Sequence, residues 1–198
     1  MKPFTLTNLL TSNLNIDEEA INILVSHCNE KTFPAGEFLL REGEYCQYIF
    51  FVEEGLLRQY GIDYKGKEHI LQFGPENWFL TDRESSYMGH PSLFFIQALE
   101  DSRVLLLEED FILKLTEEVD GFLGFNNRLL HNHVHQQTKR IYELLSATAE
   151  ERYLSFIKTY PDLLLRVPQW MVASYLGITP ESLSRVRKEM AGRNFRPT

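Results

Sequence analysis

The spacing of apolar residues changes once along the chain, near residue 109, and this change limits the folds open to the sequence. Between about 31 and 110, short aromatic and β-branched runs are separated by turn signals such as Pro34-Ala35-Gly36 and Lys65-Gly66-Lys67. Many short strands of this kind predict an antiparallel sandwich or barrel, including jelly rolls. After Glu109 the apolar residues recur at helical spacing. The sequence therefore predicts a β domain followed by helices.

A long amphipathic helix is predicted from about Phe122 to Leu145. Its apolar residues, near i, i+3 and i+4 positions, are Phe122, Phe125, Leu129, Leu130, Val134, Ile141, Leu144 and Leu145. This stripe is longer than a small β domain needs to cover, so we favour the pairing of two such helices in a dimer. A helix that packs only against its own sheet is the alternative.

The segment 169–190 predicts two short helices that cross closely. Ala173 supplies the small residue that close crossing requires, and Gly177 supplies a turn residue that tolerates positive φ. Thr179 is a good N-cap, and Pro180 suits the first position of the second helix. The predicted apolar contacts between the two helices come from Val172, Leu176, Ile178, Leu183 and Val186. This pattern is typical of a helix-turn-helix.

The second of these helices carries side chains that suit DNA. Arg185 can bond O6 and N7 of guanine, and Glu181 can accept from the N4 amine of cytosine. The predicted base and backbone contacts are Thr179, Glu181, Ser182, Ser184, Arg185, Arg187 and Lys188. The expected phosphate contacts among the basic residues are Arg187, Lys188, Arg193 and Arg196. A helical hairpin whose charges simply face solvent is the alternative.

The distribution of charge supports the DNA interpretation. The net charge is −8, but residues 152–198 carry +5 and the remainder carries −13. A basic end on an acidic body is expected when one domain meets phosphates and another does not. The sequence has no apolar run near the ~18 residues of a membrane span and no secretory signal pattern. We therefore expect a cytoplasmic protein with no membrane partner.

The cysteines and histidines do not form a recognisable metal or catalytic site. Cys28 and Cys46 are too few for a disulfide framework or an iron–sulfur cluster. In His131-x-His133-x-His135 only the first and third histidines share a helix face, and no carboxylate or thiolate lies nearby. A cupin-type enzyme would need histidines and a glutamate spaced along its strands, but His69 and His90 are isolated. We therefore predict no catalytic residue, no metal and no cofactor.

Over nearly the whole chain these features resemble the Crp/Fnr family of transcription regulators. The segment 173–185 is similar to the helix-turn-helix of Bacteroidetes-like members. The spaced glycines look like the turns of the family's cyclic-nucleotide-binding-like β-roll; they are Gly36, Gly43, Gly55, Gly66 and Gly74. The family's recognition helix often reads Ser-Arg-Glu-Thr-Val-x-Arg. Here Glu181 and Arg185 are kept while Pro180 replaces the first arginine, so a different operator is implied.

The resemblance implies an α+β fold with a particular order of domains. An N-terminal antiparallel, jelly-roll-like β-roll with flanking helices is expected at 1–120, and a dimerisation helix at 121–147. An all-α helix-turn-helix domain is expected at 148–198. Few residues follow the recognition helix in this sequence, so we expect little or no wing.

The resemblance also bears on a possible effector. In nucleotide-binding members a Phe-Gly-Glu motif supplies a glutamate for the ribose, and an Arg-Ser or Arg-Thr pair about ten residues later holds the cyclic phosphate. Gly74-Pro75-Glu76 looks like the first motif, but Pro91-Ser92-Leu93 lacks the arginine. A buried phosphate without that charge has an uncompensated desolvation cost. We expect another effector or none, in a candidate pocket of Glu76, Trp78, Arg83, Ser92 and Phe94.

The sequence thus predicts a sequence-specific, DNA-binding transcription regulator that is not an enzyme. Its expected partners are double-stranded DNA and a second copy of the chain. The resemblance adds RNA polymerase and an unidentified small-molecule effector. Two alternatives stay open: a cyclic-nucleotide-responsive transcription activator, and a β-roll scaffold whose helix-turn-helix no longer binds DNA.

Overall fold

The computed structural model describes residues 5–194, with side chains up to residue 192. The chain divides into two compact units, Met1–Leu130 and His131–Thr198. The division falls within a long helix that runs from Phe122 to Ser146. The domain boundaries expected after residues 120 and 147 stay predictions.

The first unit contains two antiparallel sheets and several helices. Its elements are α1 (Leu6–Asn13), α2 (Glu18–Val25), β1 (Asn29–Phe33), β2 (Phe38–Leu40), β3 (Ile49–Glu54), β4 (Leu57–Ile62), β5 (Glu68–Gly74), β6 (Phe79–Leu80), α3 (Arg83–Met88), β7 (Phe95–Ala98), β8 (Ser102–Leu107), α4 (Glu109–Glu118) and the start of α5 (Phe122–Ser146). The sheets have the orders β1-β8-β3-β6 and β2-β7-β4-β5.

The core between the two sheets follows from strand alternation. Side chains alternate between the two faces of a strand, so residues two apart share a face. In the first sheet, Phe50 lies opposite Leu106 in the register. In the second, Leu57 lies opposite Ala98. All four are buried in one apolar cluster, which also contains Leu40, Val52, Leu80, Ile96 and Val104.

The other face of the first sheet packs against helices. Phe51 is fully buried there, and burial of such a side chain stabilises the fold by about 1.5–3 kcal/mol. The residues that cover this face from the helices include Leu6, Leu10, Ile21, Leu115, Phe122 and Phe125. The helices form one outer layer and the second sheet forms the other. The predicted antiparallel β-roll with flanking helices is therefore confirmed.

Helix α5 has 25 residues, and the predicted long helix is confirmed. At its start Phe122 and Phe125 are buried in the first unit, and Leu129 packs against the same cluster. Further along, Val134 and Ile141 are 61% and 58% exposed. The apolar stripe of α5 therefore divides into a buried beginning and an exposed remainder.

The second unit is built from the rest of α5 and four shorter helices. These are α6 (Ala149–Thr159), α7 (Leu163–Arg166), α8 (Gln169–Leu176) and α9 (Pro180–Asn194). A capping box of Thr148 and Glu151 starts α6. The buried residues include Tyr153, Phe156, Tyr160, Leu163, Val167, Met171, Val172, Leu176 and Leu183. The described chain from residue 108 to 194 contains no strand.

Across residues 5–194, no helix combines the length and the apolar character that crossing a bilayer requires.

Candidate nucleic-acid interface and effector pocket

Helices α8 and α9 form a tight helix-turn-helix. The backbone N–H of Ile178 donates to the carbonyl of Ala173 at 3.0 Å, and that of Gly177 donates to Ser174 at 3.1 Å. Gly177 has a φ of +66°, a left-handed conformation that glycine adopts without the usual steric cost. Ala173 is buried, as close crossing of the two helices requires.

The start of α9 is fixed by its own side chains. Pro180 is its first residue, and the Thr179 hydroxyl accepts from the Ser182 backbone N–H at 3.3 Å. The hydroxyls of Thr179 and Ser182 also hydrogen bond, at 3.2 Å. The pKa of Glu181 is lowered because its carboxylate accepts from its own backbone N–H and from the Thr179 hydroxyl. Two of the predicted DNA contacts, Thr179 and Ser182, therefore form the helix cap.

Four other predicted contacts lie along one exposed face of α9, which we call the recognition stripe. They are Glu181, Ser184, Arg185 and Lys188. Their spacing of i, i+3, i+4 and i+7 places them on one side of a helix. Leu183 lies on the other side and is only 1% exposed. Arg187 is half-buried, at the margin of the stripe.

Two further predicted phosphate contacts fall beyond this description. The side chain of Arg193 and the whole of Arg196 lie outside the described residues.

In the β-roll, Ser92 is the centre of a small buried network. Its hydroxyl donates to Oδ2 of Asp82 at 2.6 Å and accepts from the backbone N–H of Phe94 at 3.0 Å. Asp82 and Ser92 are 5% and 2% exposed. The other carboxylate oxygen of Asp82 accepts from the backbone N–H groups of Glu84 and Ser85 and so caps α3. A carboxylate therefore lies beside the serine that the family resemblance assigned to phosphate.

Sequence reasoning missed Asp82. The signal was present, because Asp82 precedes Ser92 by ten residues, which is the spacing expected between the two family motifs. Glu76 precedes Ser92 by sixteen residues, and its carboxylate accepts from the Gly55 backbone N–H at 3.2 Å, at the turn after β5.

The other predicted pocket residues have different surroundings. Trp78 is partly buried and packs against the cluster between the two sheets. Arg83 is exposed at the first position of α3. The ring of Phe94 packs against β4, 3.4 Å from the point where Gly61 would carry a Cβ atom. Of the predicted pocket residues, Ser92 and Phe94 are joined by a hydrogen bond. Glu76 accepts from Gly55, Trp78 packs against the core, and Arg83 is exposed.

The sequence and the fold are similar to those of known proteins. Residues 30–119 match the family profile of the cyclic nucleotide-binding domain. The anaerobic regulatory protein of Haemophilus influenzae is 26% identical over 168 residues, covering 79% of this chain and 65% of that protein. The chain thus spans about two thirds of that relative's length. FixK2 of Bradyrhizobium japonicum superposes with a TM-score of 0.70 at 19% identity, covering 86% of this chain and 88% of FixK2.

A CooA mutant from Carboxydothermus hydrogenoformans superposes with a TM-score of 0.69 at 19% identity, covering 88% of this chain and 84% of that one. Residues 30–119 are therefore similar to the cyclic nucleotide-binding domain, and the chain has the fold of Crp/Fnr regulators. Its homologues are transcription regulators of the Crp/Fnr type.

The β-roll also contains a buried pair of amides. Nε2 of Gln72 donates to Oε1 of Gln59 at 3.0 Å, and both residues are less than 8% exposed. Gln59 lies two residues from Leu57 on β4, so it faces the core between the sheets. Polar groups in this interior therefore satisfy one another.

Arg58 is a buried arginine of the same domain, but it lies on the opposite face of β4 from Gln59. It forms a salt bridge with Glu68 and donates to the side chain of Gln97. Its guanidinium also stacks 4.0 Å from the centroid of the Tyr60 ring. The charge of Arg58 is therefore compensated on the face of β4 that points away from the core between the two sheets.

Cys28 and the three histidines of α5 differ in their exposure to solvent. Burial, together with Glu108, raises the pKa of the Cys28 thiol from 9.0 to about 11. That thiol is protonated at neutral pH and is a poor nucleophile. His131, His133 and His135 are exposed on α5. The described side chains include no group of three or more His, Cys, Asp or Glu arranged to hold a metal ion.

Proposed function

We propose that this protein is a sequence-specific DNA-binding transcription regulator of the Crp/Fnr family. The observation that carries the proposal is the recognition stripe, whose polar side chains are exposed on a helix held from behind by the buried Leu183. The major groove admits such a helix, and arginine is the side chain that most often reads guanine there. We place the helix-turn-helix in the Bacteroidetes-like type on the residues 173–185, and the protein in the cytoplasm.

A dimer is the assembly that the exposed part of α5 favours. Leu123, Leu130, Val134 and Ile141 follow one another by seven, four and seven residues, which is a heptad spacing. Leu123, Val134 and Ile141 are each more than 50% exposed. β-branched residues at alternate seam positions favour two parallel strands. A second copy of α5 buries this stripe and provides the second recognition helix, so that the protein reads a palindrome.

The cyclic nucleotide-binding domain does not, in this proposal, bind a cyclic nucleotide in the usual way. The Ser92 hydroxyl already donates its hydrogen bond to the Asp82 carboxylate. A cyclic phosphate bound at Ser92 would therefore lie beside a negative charge. No arginine precedes Ser92 in the sequence, where Pro91 stands. Burial of a phosphate beside a carboxylate, with no arginine from the family motif between them, is strongly unfavourable. Any effector is therefore a molecule that tolerates or uses this carboxylate.

A cyclic-nucleotide-responsive activator is the second candidate. The match of residues 30–119 to the cyclic nucleotide-binding domain is the observation that favours it. Direct titration of the protein with cyclic AMP separates the two candidates.

Paired substitutions in the recognition stripe test the proposed DNA contact. Arg185→Ala should cost ~1–3 kcal/mol on the selected site and relax preference at one base position. Lys188→Ala should weaken binding to all sequences by similar factors and reduce the salt slope by about 1. Lys158→Ala removes the same charge from α6, away from the stripe, and is the matched control. Unchanged affinity and base preference in Arg185→Ala would show that α9 does not enter the groove as proposed.

A further inference from the structure

We infer that Arg140 is a positioning residue that fixes the helix-turn-helix to the end of α5 and thereby sets the spacing of the two recognition helices in a dimer. The inference rests on the proposed function. It concerns a set of contacts within the second unit, which we call the α5–α8 joint: Arg140, Glu143, Leu144, Arg152, Ser155, Tyr175 and Gly177.

Arg140 makes two different contacts with Tyr175. One guanidinium nitrogen donates to the backbone carbonyl of Tyr175 at 2.9 Å, and the guanidinium carbon lies 4.2 Å from the centroid of the Tyr175 ring. The carbonyl belongs to the last turn of α8, where carbonyl groups lack partners within the helix and attract cations. The ring is held in turn by Phe156 and Tyr160, with centroids 5.4 and 5.8 Å away. Arg140 therefore fixes both the backbone and the side chain of Tyr175.

Arg152 of α6 also stabilises the joint. It projects from α6, and its Nη1 donates to the backbone carbonyl of Ala147 at 2.9 Å, just beyond the end of α5. In addition, the Ser155 hydroxyl donates to Oε1 of Glu143 at 3.0 Å. The short connection from α5 to α6 is thus held by groups on both helices, and free rotation at this connection would break these bonds.

The turn of the helix-turn-helix lies directly against α5. A Cβ atom on Gly177 would be 3.0 Å from Cδ2 of Leu144, so the two residues are at close packing distance. Arg140, Glu143 and Leu144 occupy positions i, i+3 and i+4, which form a single face of α5. One face of α5 therefore contacts α8 through Arg140, α6 through Glu143 and the turn through Leu144.

This arrangement matters when two recognition helices must bind one DNA molecule. A dimer gains affinity for a palindrome because the second contact is intramolecular, and this gain is largest when the geometry is set in advance. A loosened joint leaves each recognition helix intact but allows it a wider range of positions relative to α5. Loss of Arg140 should therefore weaken binding to the palindrome while leaving binding to a single half-site unchanged.

The test compares the affinity for a selected palindrome with that for a duplex carrying one half-site, at the same salt concentration. We expect Arg140→Ala to lower the palindrome-to-half-site affinity ratio about tenfold, a change of 1.4 kcal/mol. Arg140→Lys keeps a cation near the ring without the planar fork and should recover part of the ratio. Arg128→Ala removes the same side chain from an exposed position of α5 outside the joint and should keep the wild-type ratio.

Several outcomes separate this inference from simpler explanations. A damaged recognition helix, as expected for Arg185→Ala, lowers the affinity for the single half-site itself, which loss of Arg140 should leave unchanged. A wild-type ratio in Arg140→Ala overturns the inference. If Arg140→Ala does not fold, Arg140→Gln is measured instead, and a wild-type ratio in that variant is equally decisive against it.

If the wild-type protein binds no DNA, the proposed function fails and the joint is judged separately by hydrogen exchange. The amides of Gly177 and Ile178 should then exchange faster in Arg140→Ala than in Arg128→Ala. Equal exchange in the two variants would show that Arg140 does not hold the turn.

Discussion

The hydroxyl of Ser92 donates a 2.6 Å hydrogen bond to the carboxylate of Asp82, ten residues earlier in the chain. Both groups are buried in the β-roll, in the segment that matches the cyclic nucleotide-binding domain. In the proposed function, this pair places a carboxylate where the family resemblance expects a cyclic phosphate to bind.

Cyclic AMP should therefore fail to bind. Calorimetric titration at 1 mM cyclic AMP, a concentration that stabilises a protein of 10 μM Kd by about 2.7 kcal/mol, should give no heat and no rise in the unfolding temperature. Asp82→Asn removes the negative charge while keeping an oxygen acceptor, and it tests the electrostatic part of the argument. Saturable binding by the wild-type protein would favour the cyclic-nucleotide-responsive activator instead.

The effector region shows where prediction from sequence stops. The turn motif at Glu76 was identifiable by residue type, but a short strand, β6, and a short helix, α3, separate it from Ser92. Neither element has a periodicity long enough to predict. The β6–α3 segment places Asp82 beside Ser92, and only long-range pairing determines that placement.

The helix-turn-helix was predictable in more detail because its determinants are local. Ala173, Gly177 and Thr179 each act within four residues of their own position, through close crossing, positive φ and capping. Strand β1 illustrates the opposite case. Its sequence Asn29–Phe33 is polar and predicts no strand, yet it pairs along its whole length with β8.

The exposed stripe of α5 predicts the oligomeric state. The double variant Val134→Asp/Ile141→Asp places two charges per chain at the proposed seam and should give a monomer, because buried unpaired charges are costly. Asn132→Asp adds a charge on another face of the same helix and should stay dimeric. Sedimentation velocity distinguishes the two. A wild-type protein that sediments as a monomer would contradict the proposed assembly.

Gly177 should be sensitive to substitution for two reasons. Gly177→Ala places a Cβ atom in a left-handed conformation, which costs about 1–2 kcal/mol, and brings it 3.0 Å from Leu144. Gly192→Ala is the control, because Gly192 lies in α9 with no atom near the new Cβ. This variant should be more stable than the wild type by about 0.5–1 kcal/mol. Urea unfolding measures both changes. Equal stability of the two variants would argue against the described turn.

The β4–β5 turn carries a pH-dependent contribution to stability. The His69 ring, hydrogen-bonded at 2.8 Å, and the backbone N–H groups of Lys67 and Lys65 lower the pKa of Asp63 from 3.8 to about 2. A depressed pKa in the folded state means that the stabilisation is present above pH 3.8 and is lost as the pH falls towards 2.

Urea unfolding of the wild type and Asp63→Asn at several pH values tests this assignment. The wild type should be the more stable above about pH 4, and the difference should shrink as the pH falls through the window between 3.8 and about 2. His69→Gln removes the principal cause and should reduce the difference at all these pH values. A difference that does not change with pH would be inconsistent with the lowered pKa.

Selection of bound sequences from a random DNA pool, at physiological salt and without added ligand, tests the central claim most directly. The account predicts a palindrome whose half-sites are one helical turn apart, ~34 Å, and whose enrichment is lost in Arg185→Ala. A wild-type protein that enriches no sequence, both without ligand and with cyclic AMP added, would contradict the claim that α9 reads DNA.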